Sequence, residues 1–496
     1  MKRLLALLLT LLCAVGTASA EPEKYEAMPA IFAVTVEENE RKIDEGSAYV
    51  YKEYVTTTNP DINAELRAIV DAYDREFSPT LQPDPRKRGK RGSVLNISTV
   101  YYRTGEKYLS TLTIARVSYE EQQLSTAFTT RTWDLETGRR LTLADLFEDD
   151  AWETISEGVR AHLTDIFPGE SRDSAAIDRL CTPEALASAD FTLSGMELTL
   201  HYAAGDIVPG KVTLTHARFF YPDLRALMTE TGLAATDNGR WKMVAVTFDD
   251  GPKDYPSTYT LDALRKIGAR GTYFIVGKQL ERYGYVLQKQ YDQNHIFGTH
   301  TFHHWGGGSF KSDESRLKEL ALSAEWTLPL VGEEAALFRA PGGTYPSWVE
   351  SGMPMPIIQW SVDTYDYTGK SPKRIFYTFR DKVTEGDIIL CHDTGEYLHE
   401  SVPLWGEYLL ERGFMFVTVD ELACAYGLEM QPSVASGSGR PGESAADRGK
   451  CRAEKNRLPP VLGRKAAFWT VLTRFAGRRR AGRQPARPAH RAATPA

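Results

Sequence analysis

The sequence predicts an α/β protein in which residues 240–428 form βα units of a parallel sheet or barrel, preceded by an α+β domain over residues 30–235. Two patterns carry this prediction. In the later region, short apolar stretches alternate with helical periodicity, which is typical of parallel strands joined by helices. In the earlier region, three long stretches rich in β-branched and aromatic residues follow one another, which indicates successive antiparallel strands.

The elements of the earlier region follow from these patterns. An apolar stripe with a period of 3.6 residues predicts a helix over residues 62–77. The other predicted elements are a hairpin with strands at 30–36 and 47–55, strands at 94–102, 107–119 and 126–134, helices at 143–147 and 152–167, and strands at 191–202 and 210–216. This region shows no clustered His, Cys or acidic motif that indicates chemistry.

The later region alternates between the two types of element. The predicted strands are at 243–248, 271–276, 295–298, 337–340, 357–362, 387–390 and 414–419. The predicted helices are at 258–267, 279–294, 312–330, 373–385 and 402–412. Strands separated by helices in this way pair in parallel, so their carboxyl ends are expected at one edge of the sheet.

Composition and charge bound the class of protein. The chain has 496 residues, 42% hydrophobic and 25% charged, so collagen-like and wholly disordered proteins are excluded. The formal charge of −7 argues against a nucleic-acid partner. Residues 434–496 carry 15 Lys and Arg against three acids, which leaves −19 on residues 1–433. We predict that this basic tail is disordered; an out-of-frame or degraded C-terminal end explains the same composition.

The first 20 residues, MKRLLALLLTLLCAVGTASA, have the parts of a secretory signal peptide. A positively charged start precedes an apolar stretch over residues 4–15, and the small residues 18–20 form a cleavage pattern. The apolar stretch is short for a membrane span, which favours cleavage over the alternative, an uncleaved N-terminal anchor. The sequence thus predicts a secreted protein, extracellular or wall-associated, with no membrane span after cleavage.

Four cysteines remain after this cleavage, namely Cys181, Cys391, Cys424 and Cys451. Their wide spacing fits neither a disulfide scaffold nor a zinc ribbon. A Cys391–Cys424 disulfide and free buried thiols both remain open at this point.

Two acids and a histidine cluster suggest a metal site. Asp249 and Asp250 directly follow the strand predicted at 243–248, where α/β barrels keep their active sites. His300 and His304 are four residues apart, so on a first helical turn both imidazoles face the same way. With Asp250 they suit a catalytic divalent metal that keeps open positions. The spacing differs from that of a mononuclear iron oxygenase, which needs an acid two residues after the first histidine.

Three more polar groups follow predicted strands. Arg339 precedes a glycine pair, Asp363 and Asp366 follow the strand at 357–362, and His392 ends an almost wholly apolar strand. A lone histidine at such a position is usually a packing residue. Five polar clusters at the same end of successive strands are hard to explain by packing, and together they indicate an active site.

The clusters together resemble the motifs of the NodB-homology polysaccharide deacetylases, carbohydrate esterase family 4, over residues 240–428. The motifs occur in the family's order: TFDDGP at 247–252, H-[ST]-x-x-H at 300–304, R-x-P-[YF]-G at 339–343, D-x-x-D-W at 363–367 and L-x-H at 390–392. Gly342 replaces the aromatic residue of the third motif, and Tyr367 replaces the Trp of the fourth. Both departures concern sugar specificity more than the reaction.

The resemblance implies a distorted (β/α) barrel of the NodB-homology type with one divalent metal ion. Asp250, His300 and His304 would hold this ion, expected to be zinc, for which cobalt or a similar ion can substitute. Asp249 would be the general base, oriented by Arg339.

The resemblance also implies roles for the remaining motif residues. The Gly342 backbone N–H would donate to the oxyanion, and Tyr367 and Leu390 would line the substrate. His392 would protonate the leaving amine, and Asp366 would keep it charged and correctly turned.

The earlier region resembles the PdaC-like extracytoplasmic domains that precede several peptidoglycan deacetylases. The phrases TWDLETGRRLTLADLFEDD and LTLHYAAGDIVPGKVTLTH carry this resemblance. It implies a module that contacts the cell wall or lysozyme, and the alternative is a folded spacer without a ligand.

The leading functional hypothesis is metal-dependent N-deacetylation of N-acetylhexosamine residues in a cell-envelope polysaccharide, above all peptidoglycan. The motifs do not distinguish N-acetylglucosamine from N-acetylmuramic acid. The alternatives are an O-acetyl esterase acting on a polysaccharide, and a wall- or lysozyme-binding protein whose front domain dominates its function.

Overall fold

The structure is a computed structural model that describes residues 27–43, 47–83, 92–428, 430 and 435–436. The predicted signal peptide and nearly all of the predicted basic tail lie outside these residues, as does Cys451. Within the described residues, no helix is both long and apolar enough to cross a membrane. Cys181, Cys391 and Cys424 are free thiols, so a Cys391–Cys424 disulfide is absent from the described part of the chain.

A six-stranded sheet dominates the earlier region. Its strands, paired in chain order, are β1 (Thr35–Ile43), β2 (Ala48–Thr56), β3 (Ser93–Thr104), β4 (Tyr108–Tyr119), β5 (Gln122–Asp134) and β6 (Arg140–Leu141). The β2–β3 pair is parallel and the other pairs are antiparallel. Helix α1 (Pro60–Phe77) makes the crossover that a parallel pair requires. It buries Ile62, Leu66 and Val70, and the Asn59 side chain caps its first turn.

The strand predicted at 30–36 is wrong in position. Ala30–Phe32 is a 3₁₀ helix, and the first strand of the hairpin is β1, which contains most of the charged residues expected in the turn. β1 lies at the edge of the sheet and is largely exposed, so charged side chains are tolerated there and discourage pairing with other chains.

A smaller antiparallel sheet and short helices complete the earlier region. The sheet contains β7 (Phe191–Leu193), β8 (Glu197–Ala203) and β9 (Leu214–Phe220). The helices are α2 (Leu143–Leu146), α3 (Ala151–Asp165), α4 (Ser174–Leu180), α5 (Pro183–Ala187), α6 (Tyr221–Leu224) and α7 (Glu230–Ala235). Helix α3 buries one apolar face, including Ile155, Val159 and Leu163, in the core beside this sheet.

A curled parallel sheet forms the later region, which confirms the predicted α/β class. Its strands are β10 (Lys242–Asp249), β11 (Thr272–Ile275), β12 (Ile296–Thr299), β13 (Ile357–Ile358), β14 (Val362–Asp363), β15 (Ile388–His392) and β16 (Phe414–Val417). The main path runs β12-β11-β10-β15-β14, and β16 pairs with the start of β10. Phe338 bridges Thr299 and Ile357, so the sheet continues from β12 to β13 as a distorted half-barrel. Of the predicted tail, Ala435–Ser436 forms β17, which pairs with β13.

The helices of the later region connect these strands. They are α8 (Tyr255–Lys266), α9 (Leu280–Asp292), α10 (Asp313–Val331), α11 (Ser347–Gly352), α12 (Pro372–Phe379), α13 (Leu398–Leu410) and α14 (Val419–Ala425). The strand predicted at 357–362 is divided into β13 and β14, because the carbonyls of Ile358 and Gln359 accept hydrogen bonds from the Arg339 side chain. The strand predicted at 337–340 is reduced to the single bridge at Phe338.

One apolar cluster spans the two regions. Phe32, Tyr101 and Trp133 of the earlier region cluster with Met243 and Met415 of the later one, all nearly inaccessible to solvent. Burial of side chains of this size contributes about 1.5–3 kcal/mol each. The regions are therefore packed against one another like layers of a single structure.

A polar cluster is buried in the same boundary. We call Glu197, His201, His216, Arg270 and Glu421 the interface polar cluster; each is at most 2% exposed. The Arg270 guanidinium lies 3.0 Å from a carboxylate oxygen of Glu197 and 3.1 Å from one of Glu421. Charges buried this deeply are tolerated only when they are paired, so these contacts fix the register of the two regions.

Candidate active site

Parallel pairing brings the carboxyl ends of the central strands together. Asp249, the last residue of β10, lies opposite His392, the last residue of β15. His300 directly follows β12, and Arg339 follows the bridge at Phe338. We call this set of strand ends the catalytic edge. The structure thus brings together the polar groups that the sequence predicted at separate strand ends.

Asp250, His300 and His304 offer three ligand atoms within 4.8 Å of one another. The Asp250 Oδ1 atom lies 3.0 Å from His304 Nε2 and 3.5 Å from His300 Nε2. Nδ1 of His300 lies 2.9 Å from the Arg339 carbonyl, which can only accept, so Nδ1 carries the proton and Nε2 has a free lone pair. Two imidazoles and one carboxylate are a donor set that fits a catalytic divalent metal ion.

The helical turn predicted for His300 and His304 is wrong. The segment is a loop in which Thr301 (φ 64°) and His304 (φ 60°) adopt left-handed conformations. Hydrogen bonds from the Thr301 N–H to Thr299 Oγ1 and from the Trp305 N–H to Thr301 Oγ1 hold this loop. It places the two imidazole centroids 5.1 Å apart. The spacing of four residues therefore brings the two imidazoles together through the conformation of this loop and not through helix geometry.

Electrostatics favour metal-binding protonation states at two members of this triad, His300 and Asp250. Burial lowers the pKa of His300, which keeps its imidazole neutral. For Asp250, burial opposes ionisation, but the hydrogen bond from His304 and the charge of the two histidines outweigh it and lower the pKa of the carboxyl. The same hydrogen bond raises the pKa of His304.

Arg339 holds Asp249 in place. Its fully buried guanidinium donates to Asp249 Oδ1 at 2.8 Å and to Thr247 Oγ1 at 2.7 Å. Its other nitrogens donate to the carbonyls of Ile358 and Gln359. With these donors satisfied, the guanidinium is rigid, and it fixes one carboxylate oxygen of Asp249. The other oxygen lies 3.7 Å from His300 Nε2, on the side of the metal triad.

His392 and Asp366 form a pair at the opposite side of the edge. Asp366 Oδ1 lies 2.8 Å from His392 Nδ1, and Oδ2 accepts the His392 backbone N–H at 2.7 Å. Burial disfavours the imidazolium, but the hydrogen bond and charge of Asp366 outweigh it and raise the pKa of His392. The Tyr367 ring lies 4.9 Å from the His392 ring at 71°.

The remaining predicted site residues lie at the same edge with different exposure. Gly342 is exposed with φ 70°, and a Cβ atom there would meet nothing within 4 Å. Tyr367 is 55% exposed, whereas Leu390 is only 3% exposed within β15. Gly342 and Tyr367 can therefore meet a ligand directly, whereas Leu390 presents almost no surface to one.

Supporting residues emerge only from the structure. Glu319 of α10 is buried, and its carboxylate accepts hydrogen bonds from the His303 backbone N–H and ring. The third histidine of the sequence cluster is therefore bound to Glu319 and is not part of the triad. Asp393 donates its backbone N–H to the Asp249 carbonyl and accepts from Gln290 Nε2 at 3.0 Å. Burial raises the pKa of Asp393 to about 7. Sequence spacing gives no signal for Glu319 or Gln290, because both lie on helices remote from the motifs.

Comparison with known proteins identifies similar chains. The family model described as polysaccharide deacetylase matches residues 236–352. A peptidoglycan-N-acetylglucosamine deacetylase of Bacillus cereus is 30% identical over 189 residues, which cover 36% of this chain and 88% of that protein. PgdA, a peptidoglycan-N-acetylglucosamine deacetylase of Listeria monocytogenes, is 27% identical, with 38% of this chain and 40% of that protein covered. PdaC of Bacillus subtilis, a peptidoglycan-N-acetylmuramic acid deacetylase, is 26% identical, with 36% and 38% covered.

Proposed function

Because this chain belongs to the polysaccharide deacetylase family, we propose that it hydrolyses the N-acetyl groups of N-acetylhexosamine residues in peptidoglycan, using a divalent metal ion, zinc, at the catalytic edge. The observation that carries the proposal is the convergence of three groups at one edge: the Asp250–His300–His304 triad, the Asp249–Arg339 pair and the His392–Asp366 pair. Deacetylases of peptidoglycan among its relatives favour this substrate.

Asp250, His300 and His304 would hold the metal ion. When bound, such an ion supplies Lewis acidity that polarises the acetyl carbonyl and makes water more acidic. The neutral state of His300 and the ionised state of Asp250, both favoured by their surroundings, are the states that donate lone pairs to a cation.

Asp249 is the general base of the proposed reaction. Its carboxylate accepts the proton of the water that attacks the acetyl carbon, and the hydrogen bond from the Arg339 guanidinium holds the carboxylate in position. A base fixed in this way typically raises the rate by about two to four orders of magnitude. The Gly342 N–H donates to the oxyanion, an interaction worth roughly 3–4 kcal/mol in the transition state.

His392 completes the reaction as the general acid. Asp366 accepts from Nδ1, which leaves the protonated Nε2 to donate to the amine as the C–N bond breaks. Acetate and a free amino sugar are the products. Tyr367, against the His392 ring, and the nearly buried Leu390 line the site for the sugar and the acetyl methyl group.

The rest of the chain serves to deliver this site to the wall. We assign residues 1–20 to a signal peptide, 30–235 to a PdaC-like front domain, 240–428 to the deacetylase domain and 434–496 to a basic tail. The protein is accordingly exported, and its front domain contacts the wall or lysozyme.

Mass spectrometry of purified muropeptides tests the proposal. Incubation with the zinc-loaded protein should replace the acetyl group of each modified sugar with a hydrogen atom, which lowers the mass of that sugar by the difference. Fragmentation then distinguishes N-acetylglucosamine from N-acetylmuramic acid. The His304→Ala protein is the matched control, since it loses one metal ligand at a half-exposed position. Unchanged muropeptides with the zinc-loaded protein would contradict the proposal.

A further inference from the structure

A cluster of exposed aromatic rings lies beside the catalytic edge. Tyr255 and Tyr259 of α8 are 55% and 44% exposed, with ring centroids 4.3 Å apart. His399 of α13 packs against both, at 6.0 and 5.4 Å, with its side chain largely covered. We call these three residues the aromatic patch. None of them takes part in the proposed reaction.

The patch lies on two helices that begin near the catalytic edge. Helix α8 begins after the Asp249–Asp250 pair, and α13 begins after His392, so both helices leave the edge where β10 and β15 end. Five residues of chain span at most about 18 Å, which limits the distance from the Asp250 backbone to that of Tyr255. A polymer bound at the edge can therefore reach the patch within a few units.

The chemistry of the patch suits a sugar ring. Exposed aromatic rings present electron-rich faces, which attract the polarised C–H groups on the flat face of a pyranose. Carboxylates of Asp254 and Glu400 adjoin the rings in sequence and can accept hydrogen bonds from sugar hydroxyls. Asp254 also accepts from Tyr285 at 2.5 Å, which fixes its position at the start of α8. Clustered exposed aromatic residues are typical of binding surfaces.

We propose that the aromatic patch is a distal subsite that stacks a sugar unit of a β-1,4-linked N-acetylhexosamine strand whose reacting unit lies at the catalytic edge. This inference rests on the proposed function for the identity of the polymer. It adds that the protein prefers long strands over short ones, and it names the residues responsible.

Binding of N-acetylglucosamine oligomers to the full chain tests this subsite. The Asp249→Asn protein serves as the parent, so that turnover does not alter the ligand, and affinities for the dimer and the hexamer are measured by calorimetry. The parent should bind the hexamer more tightly than the dimer. Tyr255→Ala/Tyr259→Ala should weaken hexamer binding about tenfold while leaving dimer binding within about twofold. Tyr255→Phe/Tyr259→Phe should retain the hexamer affinity.

Tyr377→Ala is the matched control, because Tyr377 is an exposed tyrosine (60%) of α12 that lies away from the catalytic edge. It is one helical turn from Arg380, which lines a recess at the amino-terminal ends of β10 and β16. It should leave both affinities unchanged. Equal affinity of the parent for dimer and hexamer, an unchanged hexamer affinity in the double Ala variant, or the same loss in the control would overturn the subsite. Failure of the proposed function would give a different result: the unsubstituted protein would remove no acetyl group from either oligomer or from muropeptides.

Discussion

The catalytic edge and the interface polar cluster contain the same types of residue and differ in access. Each has two close histidines, acids and a buried arginine. In the interface polar cluster, His201 Nε2 bonds to Thr192, the two Nδ1 atoms bond to each other at 2.9 Å, and His216 Nε2 bonds to the Tyr291 carbonyl. Every ring nitrogen has a partner and none reaches solvent.

At the catalytic edge, by contrast, ring nitrogens face an accessible space. The His304 side chain is 48% exposed and that of His392 is 15% exposed, and in each case one side of the ring is fixed by a carboxylate. Buried histidines with every ring nitrogen bonded help to hold the two regions together, whereas partly exposed histidines fixed on one side only form a reactive site. Residue type alone does not separate the two roles.

Removal of the metal should have the largest effect, and only at the catalytic edge. Chelation should abolish deacetylation, and added zinc or cobalt should restore it. His304→Ala should lose bound metal and activity but keep its unfolding midpoint, because the surrounding core does not depend on one half-exposed side chain. Metal analysis and thermal unfolding check this. A chelated protein that still turns over would break the assignment of the triad.

Arg270→Met should act in the opposite way, on stability rather than chemistry. It removes the cation paired with Glu421 and leaves Glu197 with the more distant Arg218, at 3.7 Å, which should lower the free energy of unfolding by about 3–5 kcal/mol. Lys107→Met, which breaks a partly exposed pair with Asp134, is the control and should cost at most about 1 kcal/mol. Urea unfolding followed by fluorescence measures both. Equal effects would mean that the interface polar cluster does not join the two regions.

Acid should weaken the joint through its histidines. Burial, then the positive charges of Arg218 and Arg270, lowers the pKa of His201 to about 3, and burial with the charges of His201 and Arg218 lowers the pKa of His216 well below its usual value. Unfolded histidines titrate near 6.5, so below that pH the unfolded chain binds more protons and stability falls as pH decreases. The loss is about 1.4 kcal/mol per pH unit for each histidine. Between pH 6.5 and 5, the free energy of unfolding of His201→Gln/His216→Gln should depend less steeply on pH than that of the unsubstituted protein. An unchanged slope would exclude this coupling.

The pH–rate profile offers the smallest expected change. His392 must be protonated to donate, and Asp366 raises its pKa, so the alkaline limb of the profile reports this pair. Asp366→Asn should move that limb toward neutral pH by about one unit. Asp363→Asn, which removes an acid without a hydrogen bond to His392, should move it less. If the limb stays in place while activity remains measurable, Asp366 is structural.

The sequence predicted what short-range patterns encode. Asp249, Asp250 and His392 were predictable because they end or directly follow apolar strands, and parallel pairing then requires them to converge. Their pairings with Arg339 and Asp366 followed from the family resemblance. The contact between His201 and His216 could not be predicted, because these residues meet only through the pairing of β8 with β9. Likewise Arg270 meets Glu197 and Glu421 through tertiary packing, which periodicity does not encode.

Some local predictions failed where tertiary contacts prevailed. The helical turn at His300 is replaced by a loop, because side-chain hydrogen bonds from Thr299 and Thr301 stabilise left-handed backbone there. The strand at 357–362 is divided because Arg339 takes carbonyls that would otherwise pair within the sheet. In both cases the departure serves the site.

Asp249→Asn tests most directly whether Asp249 serves catalysis at the catalytic edge without being required for folding or metal binding. An amide cannot accept the proton of water but has nearly the shape of the carboxylate. We expect acetate release to fall by about two to four orders of magnitude, with metal content and unfolding midpoint kept near those of the unsubstituted protein. Turnover at the original rate would contradict Asp249 as the base. Loss of activity together with loss of metal and fold would place Asp249 with the structural charges, alongside those of the interface polar cluster.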